Sequence, residues 1–222
     1  MKLTSFESLR EQMVLLQIMN RSIKDERILE VMGEVPRHIF VPPDMQEMAY
    51  EDGPLPIGCG QTISQPYIVA LMTSLLELKG DENVLEIGTG SGYQAAILAH
   101  LAKTVHTVEI HPELAERASS KLAELGLMNV QVHVGDGSLG WQAAAPYQAI
   151  LITAAAPAAA EPIMRQLDRG GRLVLPIGSR YRQELVRYKR DGDKLTQEDI
   201  IPVAFVPLRG QHGWRDDEWF ET

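Results

Sequence analysis

Apolar residues recur at helical spacing in the first third of the chain, then gather into short runs separated by helical patterns. The segment "SFESLREQMVLLQIM" predicts a helix from about Ser5 to Met19, with Thr4 and Glu7 at capping-box spacing. A second helix is expected from about Lys24 to Met32, stopped at Gly33. From Val35 to Gly60, "VPRHIFVPPDM" and "DGPLPIGCG" are dense in Pro and Gly and read as loops and short extended pieces. "YIVALMTSLLEL" then suits a buried helix ending near Gly80.

Beyond Gly80 the texture changes. "NVLEIG", "TVHTVEI", "VQVHV", "YQAILIT" and "RLVLPI" read as strands, with helices at "GYQAAILAHLA", "PELAERASSKLAEL" and about Glu161 to Leu167, and a turn at "DRGG". Strands alternating with helices predict an α/β fold, a doubly wound, mostly parallel sheet behind an N-terminal helical extension. The end departs from this alternation. "QELVRYKR", a turn at "DGD" and "IIPVAFVPL" predict an antiparallel C-terminal hairpin at the sheet edge.

Composition narrows the function. The 222 residues, 45% of them hydrophobic, suit a single domain spanning 1–222. Within it, 1–80 form N-terminal helices and a loop, 81–178 the α/β core, 179–208 the hairpin and 209–222 a tail. A net charge of −9 and no Lys/Arg-rich run argue against a nucleic-acid partner. No apolar run reaches the ~18 residues of a membrane span, and the polar start "MKLTSFESLREQ" lacks the apolar stretch of a secretory signal. Cys59 is the only cysteine, so no disulfide or thiolate metal site is expected, and it reads as a small packing residue in a loop. A cytoplasmic monomer with no membrane partner is expected.

The chemistry gathers at strand ends. "VLEIGTGSGYQAA" is an apolar strand that breaks into Gly88, Gly90 and Gly92 and restarts as a helix, a turn that lets a ligand approach the backbone. The spacing is G-x-G-x-G, with Tyr93 where a dinucleotide fingerprint has its third glycine, which counts against NAD. Glu86, acidic within the apolar strand, suits a ligand bearing an ammonium or sulfonium better than a pyrophosphate. Glu109 closes the second strand, where a carboxylate can accept both ribose hydroxyls. Asp136, in "GDG", closes the third and is placed to accept an adenine amine. An adenosine carrying a positive group, such as S-adenosyl-L-methionine, fits all three. His38, His100, His106, His111, His133 and His212 show no metal or triad spacing and read as caps, surface groups or satisfied core residues, so no metal is expected.

The combination "VPRHIFVP", "LPIGCGQTISQP", "VLEIGTGSGYQAA", "GDG", "AAAP", "GGRLVLPIG" and "FVPL" closely resembles the protein-L-isoaspartate O-methyltransferases, over about Met19 to Leu208. The resemblance implies the class I, Rossmann-like methyltransferase fold. It also implies transfer of a methyl group from S-adenosyl-L-methionine, leaving S-adenosyl-L-homocysteine. The acceptor it implies is the free carboxylate of L-isoaspartyl residues in damaged proteins and peptides. It makes Glu86, Gly88, Thr89, Gly90, Ser91 and Gly92 the cofactor loop, Glu109 with Ile110 the ribose side, and Asp136 with Gly137 the adenine side. Gln61, Thr62 and Ile63 would touch the cofactor, and Ser64 is the residue called catalytic. Tyr67 departs from the histidine of many relatives, and the tail "GQHGWRDDEWFET" leaves the roles of Gln211 and Trp214 open.

A carboxylate acceptor is already ionised at pH 7, so no general base is required, only orientation and exclusion of water. A serine hydroxyl can hold one carboxylate oxygen while the other stays free to react. Backbone groups near Pro56 to Gly60 are expected to hold the substrate main chain extended. Ser64 as a covalent nucleophile is the weaker reading, because "QTISQP" is no G-x-S-x-G elbow.

Overall fold

A computed structural model describes residues 5–221. Helix α1 (Phe6–Gln12) is capped by Ser5, whose hydroxyl accepts from Ser8 N, while Thr4 of the expected capping box lies outside the described residues. The helix does not stay α-helical to Met19. It widens into a π-helix over Met13–Ile18 and tightens over Met19–Arg21 before Ser22 turns left-handed at φ 74°. The wider winding sets Met13 and Ile18 against the core, a demand of packing that periodicity alone does not reveal.

Helix α2 (Glu26–Glu34) starts at the cap Asp25 and runs through Gly33, the expected stop. It ends at Val35 because Pro36 disfavours helical geometry in the residue before it. The Pro-rich stretch that follows forms two short 3-10 helices, Arg37–Phe40 and Pro43–Met48. Arg37 is fully buried there, donating from Nε to Ala49 O at 2.7 Å with its guanidinium 5.0 Å from the centre of the Tyr93 ring. Strands β1 (Leu55–Gly58) and β2 (Gln61–Ile63) pair as a small antiparallel hairpin, and α3 (Pro66–Leu75) follows with Pro66 in its first turn. It ends short of Gly80, where Glu77 takes a φ of 51°.

The main sheet comprises β3 (Asn83–Ile87), β4 (Thr104–Glu109), β5 (Val130–Val134), β6 (Tyr147–Ile152), β7 (Leu167–Gly178), β8 (Gln183–Asp191) and β9 (Lys194–Val203). Its order is β5-β4-β3-β6-β7-β8-β9, with β3 to β7 parallel and β8 antiparallel to both neighbours. Helices α4 (Tyr93–Leu101), α5 (Pro112–Glu124) and α6 (Glu161–Gln166) connect strands, and α7 (Asp216–Glu221) lies in the tail. The expected "DRGG" turn is instead a bulge inside β7, which slips its pairing with β6 between Leu167 and Arg172.

Alternation along β3 divides the core. Val84 packs with Val69, Leu98 and Leu151 beneath the N-terminal helices, α3 and α4, whereas Leu85 and Ile87 join Ile150, Ile163 and Leu173 on the α6 side. Among the described residues no helix is long and apolar enough to cross a membrane.

Candidate active site

The chain leaves β3 to build β4 and β5 on one side and returns to place β6 on the other. Connections therefore part at the carboxyl ends of β3 and β6, the place where open parallel sheets bind ligands. The glycine turn sits there. Gly88, Gly90 and Gly92 have φ of 95°, 54° and 88°. A side chain at Gly88 would stand 2.4 Å from Thr153 Oγ1, which itself donates to Gly88 O at 2.6 Å. This close approach clamps the end of β6 against the end of β3, and only glycine permits it.

Glu109 holds the turn from the other side. One carboxylate oxygen accepts from Gly90 N at 2.8 Å and the other from His111 N at 3.0 Å. The residue is 4% exposed, yet it lines a cleft with Gln61, Thr62, Gly88, Gly90, Ile110 and Gly137. The opposite wall is the segment from Val206 to Arg209.

Two further hollows share lining residues with this cleft. One, beneath the turn, is lined by Ile63, Ser64, Thr89, Ser91 and Gln94. The other, about 440 Å³, lies between Pro54, Ser64, Gln65 and Ile68 on one side and Pro202 to Val206 on the other. Thr62 and Thr153 border all three, and Ser64 stands at the junction of the latter two. Ser64 is partly exposed, and its hydroxyl makes no hydrogen bond to another described residue.

Glu86 lies below this surface and is not among the lining residues. It is fully buried; Oε2 accepts from Thr107 at 2.5 Å, Thr107 and Thr89 hydroxyls meet at 2.6 Å, and Oε1 has no partner. Burial, with the nearby Glu109 charge adding to it, pushes its titration up to about 8 against the pull of the Thr107 hydrogen bond. Gly92 is also off the cleft, at the start of α4, where a side chain would meet Ala118 Cβ at 3.1 Å.

Asp136 is covered by the tail. Its Oδ1 accepts from Ser138 N and Oγ, and Oδ2 accepts from Gln211 N at 2.8 Å, while His212 N donates to Ser138 Oγ at 3.0 Å. Gly137 remains on the cleft floor. The tail thus packs onto the end of β5, with Trp214 N bonded to Leu208 O and Arg209 paired to Asp216 at 2.8 Å.

The profile of the family described as Protein-L-isoaspartate(D-aspartate) O-methyltransferase matches residues 8–213. The chain belongs to this family. It is 53% identical over 212 residues to a protein-L-isoaspartate O-methyltransferase of Methanoculleus marisnigri, covering 94% of each chain. To the protein of the same name from Trichlorobacter lovleyi it is 54% identical over 214 residues, covering 96% of this chain and 99% of that one. A solved protein-L-isoaspartate O-methyltransferase structure superposes with a TM-score of 0.83 at 29% identity, covering 92% of this chain and 67% of that one. A Plasmodium falciparum structure with S-adenosyl-L-homocysteine shares the fold, with a TM-score of 0.79 at 21% identity over 90% of this chain and 98% of that one.

For this member of the methyltransferase family two expectations need correcting. Cys59 does not pack: it is exposed at the tip of the β1–β2 hairpin with φ 52°, its sulfur 3.9 Å from Glu113. The tip between Gly58 and Gly60 faces α5, where Arg117 donates to Ile57 O at 2.7 Å. Segment Pro56 to Gly60 is therefore engaged with α5 and does not line the second hollow, which Pro54 borders instead. The histidines read as cap, surface or core groups include stacked ones, His38 on Phe6 and His133 on both His106 and Trp141.

Sequence reading missed Thr153 and the wall from Pro202 to Arg209 as site components. A polar residue closing the apolar run "AILIT" is a usable signal for Thr153. Nothing periodic marks the wall, which the fold brings back from the far edge of the sheet.

Proposed function

We propose that the cleft and the hollows beside it perform carboxyl methylation: transfer of a methyl group from S-adenosyl-L-methionine to the free carboxylate of L-isoaspartyl residues in damaged proteins and peptides. S-adenosyl-L-homocysteine is the other product. The observation that carries this reading is Ser64, an unengaged hydroxyl at the junction between the cleft system of the glycine turn and a separate hollow.

The residues present fit the cofactor. Gly88 and Gly90 keep side chains away from the cleft, Glu109 supplies a carboxylate suited to a diol, and the unpartnered Oε1 of Glu86 lies beneath the turn. The Glu109 carboxylate on the cleft favours a ligand with positive charge over one with a pyrophosphate. When bound, S-adenosyl-L-methionine supplies a methyl group on a sulfonium sulfur. Glu109 and Ile110 would hold its ribose side, Gly137 its adenine side, with Asp136 bonded to the tail behind it, and Gln61, Thr62 and Ile63 its flank. Thr89, Ser91 and Gly92 shape the turn from behind.

On the acceptor side, Ser64 donates to one oxygen of the isoaspartyl carboxylate and leaves the other free. One donor orients the group without withdrawing its charge. Pro54, Ile68, Val203 and Phe205 form an apolar surround that excludes water. The activity resides in a single domain, 1–222, acting as a cytoplasmic monomer, and a net charge of −9 disfavours a nucleic-acid partner. The test is calorimetry with S-adenosyl-L-methionine and NAD, followed by labelled methyl transfer to an aged protein. Binding of the first alone, with label released by mild base as expected of an ester, supports the reading; binding of NAD or a base-stable label overturns it.

A further inference from the structure

The wall opposite Ser64 is held by a side chain far from it in sequence. Strand β9 ends at Val203, whose partner across the ladder is Gln183, the first residue of β8. Gln183 is 4% exposed, and its amide takes over where the backbone ladder stops. Oε1 accepts from Phe205 N at 2.7 Å and Nε2 donates to Phe205 O at 3.1 Å. This reciprocal pair satisfies both peptide groups of Phe205 in the way another strand would.

A second clamp lies further along. Ala155 N donates to Val206 O and Leu208 N donates to Ala155 O, each at 2.8 Å. The strip is therefore fixed at two separate points. The Ala155 clamp lies on the part that faces the cofactor cleft, from Val206 to Arg209, and the Gln183 clamp on the part that faces only the acceptor hollow, from Pro202 to Phe205.

We propose that Gln183 is a positioning residue for the acceptor: it sets the wall against which the damaged polypeptide lies, without touching the reacting carboxylate. This rests on the reading of that hollow as the acceptor site. Two variants test it. Gln183→Met keeps length and volume but removes both hydrogen bonds. Its KM for an isoaspartyl peptide should rise about tenfold, with kcat and the calorimetric affinity for S-adenosyl-L-methionine within about twofold, since the Ala155 clamp remains.

Gln183→Glu gives a readout that a merely structural role would not move. A protonated carboxyl group can both donate and accept, re-forming the pair, whereas an ionised one repels Phe205 O. Burial raises a carboxyl titration, so the KM defect relative to the unaltered enzyme should shrink as pH falls from about 8 to about 6. An unchanged KM in both variants, a parallel loss of cofactor affinity, or a pH-independent defect in Gln183→Glu would overturn the proposal. If the unaltered enzyme failed to methylate the peptide, the reading of the hollow itself would fall instead.

Discussion

The two sides of the proposed reaction cleft are built in different ways. The cofactor side is centred on one continuous strand, turn and helix with three left-handed glycines, held by Thr153 after β6 and by the Glu109 carboxylate at the end of β4, which accepts from two backbone amides. The acceptor side draws on four distant pieces, around Pro54, Ser64, Thr153 and Phe205, and its central hydroxyl is unengaged. A cofactor never varies, so the turn at the centre of its site can be encoded locally and rigidly. An acceptor that differs in every damaged protein is better met by walls that fix one functional group and leave the rest of the chain unspecified.

The largest effect expected from breaking that contrast comes at Gly88. Gly88→Ala must accommodate a methyl group at a positive φ against Thr153, so cofactor affinity should fall about 100-fold or more by calorimetry. An affinity within threefold of the original would mean that the turn is not the rigid half.

Ser64→Ala should act on the other half alone. Turnover with saturating cofactor should fall roughly 10- to 100-fold, in line with one hydrogen bond strengthened at transfer, while cofactor affinity changes less than about twofold. Loss of cofactor binding with normal turnover would erase the distinction between the sides.

The third effect concerns stability under the turn. Glu86 titrates near 8 when folded against an ordinary value of 4.5, so the folded chain keeps a proton that the unfolded chain releases. Its contribution is complete below about 4.5 and declines as pH rises toward about 8. Glu86→Gln imitates the protonated form without titrating. Its stability relative to the original should therefore grow from pH 5 to pH 8, by at most about 1.4 kcal/mol per pH unit in denaturant unfolding. A difference that is flat with pH would place the titration elsewhere.

Sequence legibility follows the same division. Strands β3 to β7 alternate with helices in a pattern that needs no tertiary knowledge, and Gly88 to Gly92, Glu109 and Gly137 fall at strand ends where the chain itself announces them. Ser64 became legible only through family resemblance, because a serine before "QP" has no intrinsic chemistry to advertise. Gln183 and Phe205 meet only once β8 and β9 have paired. Asp136 was legible as an acidic strand end, but not the tail that folds back to bond it through Gln211. The π-helical turn at Met13–Ile18 and the exposed Cys59 were misjudged for a related reason: each is decided by what packs beside it.

The most direct test of the division of labour is a paired-peptide assay. Labelled methyl transfer is measured to an isoaspartyl peptide and to its normal aspartyl twin, identical in sequence, at saturating cofactor. A cleft in which Ser64 and its facing wall place one carboxylate should methylate the isoaspartyl peptide and leave the twin at background. Equal rates on the two peptides would contradict it.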